Sequence, residues 1–153
     1  MSETKSQIDT SNPGTKEYAG DITPQQAWDM LESQKGAQLV DVRTNAEWAF
    51  VGLPDLSVID KFCHQISWTQ FPDMSANPAF LDQLAAAQTD KNQPVLFLCR
   101  SGVRSIAAAI AATAAGYTAC YNILDGFEGD HDSDRHRGIQ SGWKVSNLNW
   151  IQN

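Results

Sequence analysis

Three irregularly spaced cysteines in 153 residues cannot build the disulfide framework of a small secreted scaffold, and no Cys-x-x-Cys pair offers zinc ligands or a thioredoxin-type centre. A reducing compartment, the cytoplasm, is therefore expected. No apolar run is long enough to span a bilayer, and residues 1–16 contain no apolar core of a signal peptide, so no membrane partner is expected. Positive charge is scarce as well. Eleven lysines and arginines stand against 18 aspartates and glutamates, a formal net charge of −7, which argues against general affinity for nucleic acid or anionic membrane. Each cation then matters locally, where an acidic surface around a cationic pocket focuses small anions.

What remains is a chain with 42% hydrophobic residues, enough for one domain with its own core, assigned to residues 17–153. Ser, Thr, Asn, Pro and Gly dominate residues 1–16, which read as a disordered tail. A short strand is expected at 18–22. Thr23-Pro24-Gln25-Gln26 then combines a threonine N-cap, proline at the first helical position and glutamine at the third, predicting a helix over 24–34 that buries Ala27, Met30 and Leu31. A second strand at 38–42 leads into another capping box, Thr44-Asn45-Ala46-Glu47, and a short helix to Phe50. Residues 56–60 read as a third short strand. Asn77-Pro78 marks a helix start, with Phe80, Leu81, Leu84 and Ala85 on its buried face. Residues 118–123 form the last strand, and 141–145 a short final helix. Strands alternating with helices imply an α/β fold with a parallel sheet covered on both faces.

The chemistry concentrates in Cys99-Arg100-Ser101-Gly102-Val103-Arg104-Ser105. This stretch follows the apolar strand 94–98 and opens onto a helix expected over 106–115. Backbone N–H groups and the positive end of a helix dipole converge at such a junction. Gly102 allows the tight turn, Arg100 and Arg104 add fixed positive charge, and Cys99 is expected to act as a thiolate nucleophile. At the end of a strand, Asp41 and Arg43 read first as an ion pair or turn cap rather than as reacting groups.

These residues resemble the active-site loop of the rhodanese family, single-domain sulfurtransferases in which a cysteine carries a persulfide. Asp41-Val42-Arg43, Glu47 and Trp48 match further marks of that family. Gly52-Leu53-Pro54-Asp55 stands where a Gly-His-Ile-Pro turn is typical, and Asp125-Gly126-Phe127-Glu128-Gly129 corresponds to the closing turn. The resemblance spans about residues 17–150 and implies a rhodanese-like fold, with a five-stranded, mainly parallel sheet and helices on both faces. It implies Cys99 as the catalytic residue, and residues 100–104 as the substrate and persulfide loop. Asp41, Arg43 and Ser105 are placed in support. The partners implied are a small anionic sulfur donor such as thiosulfate and a cyanide or thiol acceptor, which extends to an acceptor protein. No cofactor and no metal are implied.

Two other classes compete. A cysteine phosphatase or arsenate reductase places an arginine six positions after its cysteine, where this chain has Ser105. A quiet binding or regulatory module of the same fold commonly lacks the cysteine. Cys63 beside His64 is not expected to form a nucleophile–base pair, because adjacent residues point apart, and Cys63 is not expected to be a resolving thiol. The aromatic stretch at 61–74 reads either as pocket wall or as core cover. Asp130 to Arg137 has the composition of a surface loop rather than the spacing of a metal site.

Overall fold

The four residues before Cys99 are buried at every position, as a central strand covered on both faces requires. The structure is a computed structural model that describes residues 17–70, 73–129, 141–146 and 148–151. The expected tail at 1–16, Phe71, Pro72 and the loop from Asp130 to Arg137 lie outside the described residues.

In chain order the elements are β1 (Gly20–Ile22), α1 (Pro24–Ser33), β2 (Gln38–Asp41), α2 (Asn45–Phe50), β3 (Leu53–Pro54), a 3-10 turn (Ser57–Ile59), β4 (His64–Gln65), β5 (Thr69–Gln70), β6 (Ser75–Ala76), α3 (Phe80–Ala87), β7 (Val95–Leu98), α4 (Val103–Ala114), β8 (Cys120–Ile123) and β9 (Trp150–Ile151). Five strands form one sheet in the order β1-β8-β7-β2-β4, and every pairing in it is parallel. The side chains alternate between two layers. Leu39, Leu96, Leu98 and Ile123 pack with Ala27 and Leu31 of α1 and with Trp143. On the opposite face Val40, Val95 and Phe97 pack with Phe80 and Leu84 of α3 and with Ala108, Ala109 and Ala112 of α4. The alanines let α4 lie close to the sheet.

Both threonine capping boxes form. Thr23 accepts the Gln26 N–H at 3.1 Å, and the Gln26 side chain accepts the Thr23 N–H at 2.9 Å. Thr44 and Glu47 repeat the exchange at α2.

Elsewhere the structure differs from expectation for local reasons. Residues 56–60 are not a strand: Asp55 accepts the Ser57 N–H, Asp60 turns left-handed at φ 58°, and Val58 is 68% exposed, so no alternating face is buried. His64–Gln65 takes the edge position of the sheet instead. Helix α3 begins after Ala79, because Asn77 uses its side chain to accept the Ala79 N–H and to donate to the Ser67 carbonyl and Gln83. Its buried face is Phe80 and Leu84, whereas Leu81 and Ala85 are exposed. Residues 141–146 form turns and no helix. Helix α4 starts a turn early, which places Arg104 and Ser105 in its first turn.

Strands β2 and β7 are neighbours, and their onward connections leave in opposite directions, to β4 on one side and β8 on the other. Crevices at such switch points, outside the carboxyl ends of the strands, are where open parallel sheets bind ligands. Cys99 stands there.

Candidate active site

Cys99 follows directly on β7 and is 1% exposed. Gly102 has φ 114°, a left-handed conformation that L side chains rarely adopt, and its N–H donates to Cys99 Sγ at 3.0 Å. No side chain of the described residues caps α4, so its first-turn N–H groups remain directed at the loop. Ser105 Oγ lies 3.2 Å from the sulfur on the other side.

The loop is fixed from below by the turn at 126–129. Phe127 N–H donates to the Cys99 carbonyl at 2.8 Å, and the N–H groups of Glu128 and Gly129 share the Arg100 carbonyl. Gly126 makes this approach possible, since a Cβ there would stand 2.3 Å from the Cys99 carbonyl oxygen.

The two loop arginines differ. Arg100 is exposed, whereas Arg104 donates from Nη1 and Nη2 to the two Glu47 oxygens at 2.8 and 2.9 Å, with both side chains 18% exposed. This bridge joins α4 to α2 across the crevice. Burial alone would push the Glu47 carboxyl up, but the Arg104 hydrogen bonds and charge, the Thr44 N–H and Arg43 outweigh it and hold Glu47 below its ordinary value. Arg104 in turn is held further in its charged form, against the cost of its burial.

Asp41 and Arg43 form a fully buried ion pair at the end of β2. Arg43 also donates from Nη2 to the Gly52 carbonyl at 2.8 Å and lies over the Phe127 ring at 4.4 Å. Through Phe127 the pair braces the Cys99 carbonyl.

Of the remaining candidates, Cys63 packs on the α1 face of the sheet while Cys99 packs on the opposite face. Burial pushes the Cys63 thiol well up and keeps it neutral, and Cys120 shifts in the same direction. His64 shares a hydrogen bond of 3.1 Å with Gln38 Oε1, and burial pulls its pKa down. In the aromatic stretch, Trp68 packs edge-on against Phe80 with centroids 5.0 Å apart, as core cover, whereas Phe62 is 69% exposed. Among the described residues no group of three His, Cys, Asp or Glu side chains could hold a metal ion.

Sequence reasoning missed the part of three residues. Asn122 and Asp21 hydrogen-bond to each other beside Ser105, and the available signal was an asparagine inside the apolar strand Cys120-Tyr121-Asn122-Ile123. Glu47 was read only as a helix cap and family mark, because its pairing with Arg104, 57 residues away, has no local signature.

A family model described as the STR4 middle domain matches residues 19–153. The crystal structure of Rv0390 from M. tuberculosis superposes with a TM-score of 0.82 at 51% identity, covering 89% of this chain and 99% of that one. Thiosulfate sulfurtransferase GlpE of Haemophilus influenzae is 32% identical over 111 residues, 71% of this chain and 85% of the relative. This chain belongs to the rhodanese-like family. An uncharacterized Rickettsia conorii protein is 42% identical over 130 residues, 84% of this chain and 94% of that protein. The rhodanese-like fold extends to the polysulfide-sulfur transferase homodimer of Wolinella succinogenes, with a TM-score of 0.62 at 20% identity over 90% of this chain and 80% of that one. The domain is thus of the sulfurtransferase family.

Proposed function

We propose that this rhodanese-like domain, residues 17–153, is an enzyme that moves a sulfane sulfur from a donor such as thiosulfate to cyanide or a thiol through a Cys99 persulfide. The observation that carries the reading is the Gly102 N–H on Cys99 Sγ at the uncapped start of α4. The ionised sulfur attacks the outer sulfur of thiosulfate, the donor S–S bond breaks, and sulfite leaves with the electron pair. The terminal sulfur of the persulfide then carries the negative charge, next to the loop N–H groups of residues 101–104. A cyanide or thiolate attacks that sulfur, the Cys99 S–S bond breaks, and the thiolate returns. Ping-pong kinetics follow.

Among the described residues Arg100, exposed at the loop, is the loop cation open to an anionic donor, while Arg104 is occupied by Glu47 and holds the loop against α2. That occupation also weakens the phosphatase and arsenate reductase readings, in which the loop arginine must cradle an oxyanion. Three free cysteines support a reducing compartment such as the cytoplasm. No helix among the described residues is long and apolar enough to cross a membrane.

Intact mass before and after thiosulfate, and again after cyanide, tests the reading beside a Cys99→Ser control. A gain of one sulfur atom that cyanide removes and the variant lacks is expected. No gain with thiosulfate, polysulfide or a persulfide donor would leave the quiet binding module as the better description.

A further inference from the structure

A second cavity opens two strands away from Cys99. Val42 sits between its neighbours in the sheet, donating to the Leu98 carbonyl at 2.8 Å and accepting the Trp68 N–H at 3.0 Å. Cys99 follows Leu98 and Ser67 precedes Trp68. Neighbouring strands lie about 4.8 Å apart, so Ser67 is about 10 Å from Cys99 on the same carboxyl side of the sheet. There, between the start of α2, the segment after β4 and the first turn of α3, lies a cavity of about 360 Å³. A cavity of this size takes a small molecule.

Its walls are polar but uncharged. Asn45, Trp48, Gln65, Ser67, Gln70 and Gln83 line it with Asn77, and among the described residues no charged side chain does. Asn77 is already spent, since it accepts the Ala79 N–H and donates to the Ser67 carbonyl and to Gln83 Oε1. Those backbone partners fix its orientation, so Gln83 accepts through its oxygen and keeps its NH2 group for the cavity. The side-chain amides of Asn45, Gln65 and Gln70 and the Ser67 hydroxyl bond to none of the described residues. Trp48 is only 9% exposed, and its Nε1–H is buried with no hydrogen-bond partner among the described residues. A buried indole N–H ordinarily has one.

This orphan donor favours a ligand with carbonyl groups. A hydrogen bond usually adds little net stability because it replaces one to water. The Trp48 N–H has neither, so a carbonyl that reaches it gains the bond in full. The amides around it are exposed and unbound, free to part for such a ligand, and each donates and accepts as a peptide bond does. Without a cation the cavity offers nothing to an anionic sulfur donor.

We propose that this cavity binds the amide groups of a small peptidic thiol, which takes the sulfur from Cys99. Three residues of extended chain span about 10 Å, so a tripeptide with its amides at Trp48 brings a terminal cysteine to the loop. Its thiol gives its proton to solvent and the thiolate attacks the outer sulfur of the persulfide. The Cys99 S–S bond breaks, the electron pair returns to Cys99, and the peptide leaves as the new persulfide. The transfer rests on Cys99 being the sulfur carrier, whereas the binding does not.

The test is single-turnover discharge of thiosulfate-loaded protein into an uncharged, end-blocked tripeptide ending in cysteine, and into cyanide. In Trp48→Phe, which keeps a ring but no N–H, and in Gln65→Leu, the rate for dilute tripeptide relative to that for cyanide falls about fivefold, the scale of one hydrogen bond. The half-saturating concentration rises while the maximal rate holds, as loss of uniform binding requires. A merely structural role would slow both acceptors alike. Gln65 is exposed, so its variant decides the matter if Trp48→Phe does not fold. Binding is read separately in Cys99→Ser, by titrating the S-methylated tripeptide and following the indole N–H signals in proton–nitrogen spectra. The Trp48 signal, assigned by its loss in Trp48→Phe, should move downfield and saturate. An unchanged ratio, an equal fall for both acceptors, or a Trp48 signal that does not respond overturns the proposal. Failure of the wild type to load would count against the carrier reading, and the titration then decides the cavity by itself.

Discussion

Two strand-to-helix turns lie side by side in this fold and are finished in opposite ways. The β2–α2 turn is closed by its own side chains: Thr44 and Glu47 cap the helix reciprocally, and Asp41 and Arg43 neutralise each other in the interior. The β7–α4 turn has a glycine at its N-cap, no side chain of the described residues on its first N–H groups, and a cysteine sulfur that accepts the N–H of the N-cap glycine itself. A helix start that the chain does not satisfy for itself remains available to a ligand. The closed turn supplies the rigidity that lets its neighbour stay open, through the Glu47–Arg104 bridge and through Arg43 on Phe127.

The largest expected effect comes from breaking the closed turn at its buried pair. Asp41→Ala leaves the Arg43 guanidinium charged, with no exposure and without its carboxylate, a change that typically costs about 3–5 kcal/mol. Urea denaturation should show that loss as a lower midpoint at unchanged slope. A loss below about 1 kcal/mol would mean that the Gly52 carbonyl and the Phe127 ring alone hold the guanidinium, and the closed turn would not be the brace described here.

The next pair of variants separates the roles of the two turns. At Gly102 an added Cβ meets nothing nearer than the Asp125 nitrogen at 3.7 Å, so Gly102→Ala acts through backbone strain alone, roughly 1–2 kcal/mol. Relieving that strain turns the 102 amide off the sulfur, and thiosulfate loading should slow on the order of tenfold or more. Thr44→Ala removes a cap for about 1 kcal/mol of stability and should leave the loading rate nearly unchanged. Stopped-flow loading beside thermal unfolding gives both numbers. Equal losses of loading in the two variants would erase the distinction between an open and a closed turn.

The same contrast explains what could be read in advance. Thr23, Pro24, Thr44 and Glu47 declare their helix starts within four residues, and the Cys99 loop is likewise a continuous stretch between a buried strand and a helix. Residues 56–60 failed because Val58 and Ile59 suggest a strand by composition, while Asp55 and the left-handed Asp60 commit the backbone to a turn. Leu81 is misplaced because α3 turns only a narrow face, Phe80 and Leu84, to the core, and Leu81 lies about 100° round the helix from Phe80. Pairings over long separations, Glu47 with Arg104 and Asn122 with Asp21, leave no trace in a local pattern and appear only when the sheet order brings their elements together. Arg104 is expected from the sequence as fixed positive charge in the loop, and its Glu47 partner is not legible there for this reason.

The smallest expected effect lies in the bridge between the turns. Glu47 is held below its ordinary value of 4.5 in the folded state, so its contribution is fully present above the unfolded value and disappears as pH falls through the folded one. Glu47→Gln keeps an acceptor for the Thr44 N–H but removes the charge that faces Arg104. Wild type should therefore be more stable than the variant at pH 7, by roughly 1 kcal/mol for a partly exposed pair, and this advantage should shrink as pH drops below about 4.5. Denaturation curves for both proteins from pH 7 to pH 3 give the difference directly. A difference that stays constant across that range would show that the carboxylate acts only as a cap, and that the two turns stand side by side without an electrostatic link.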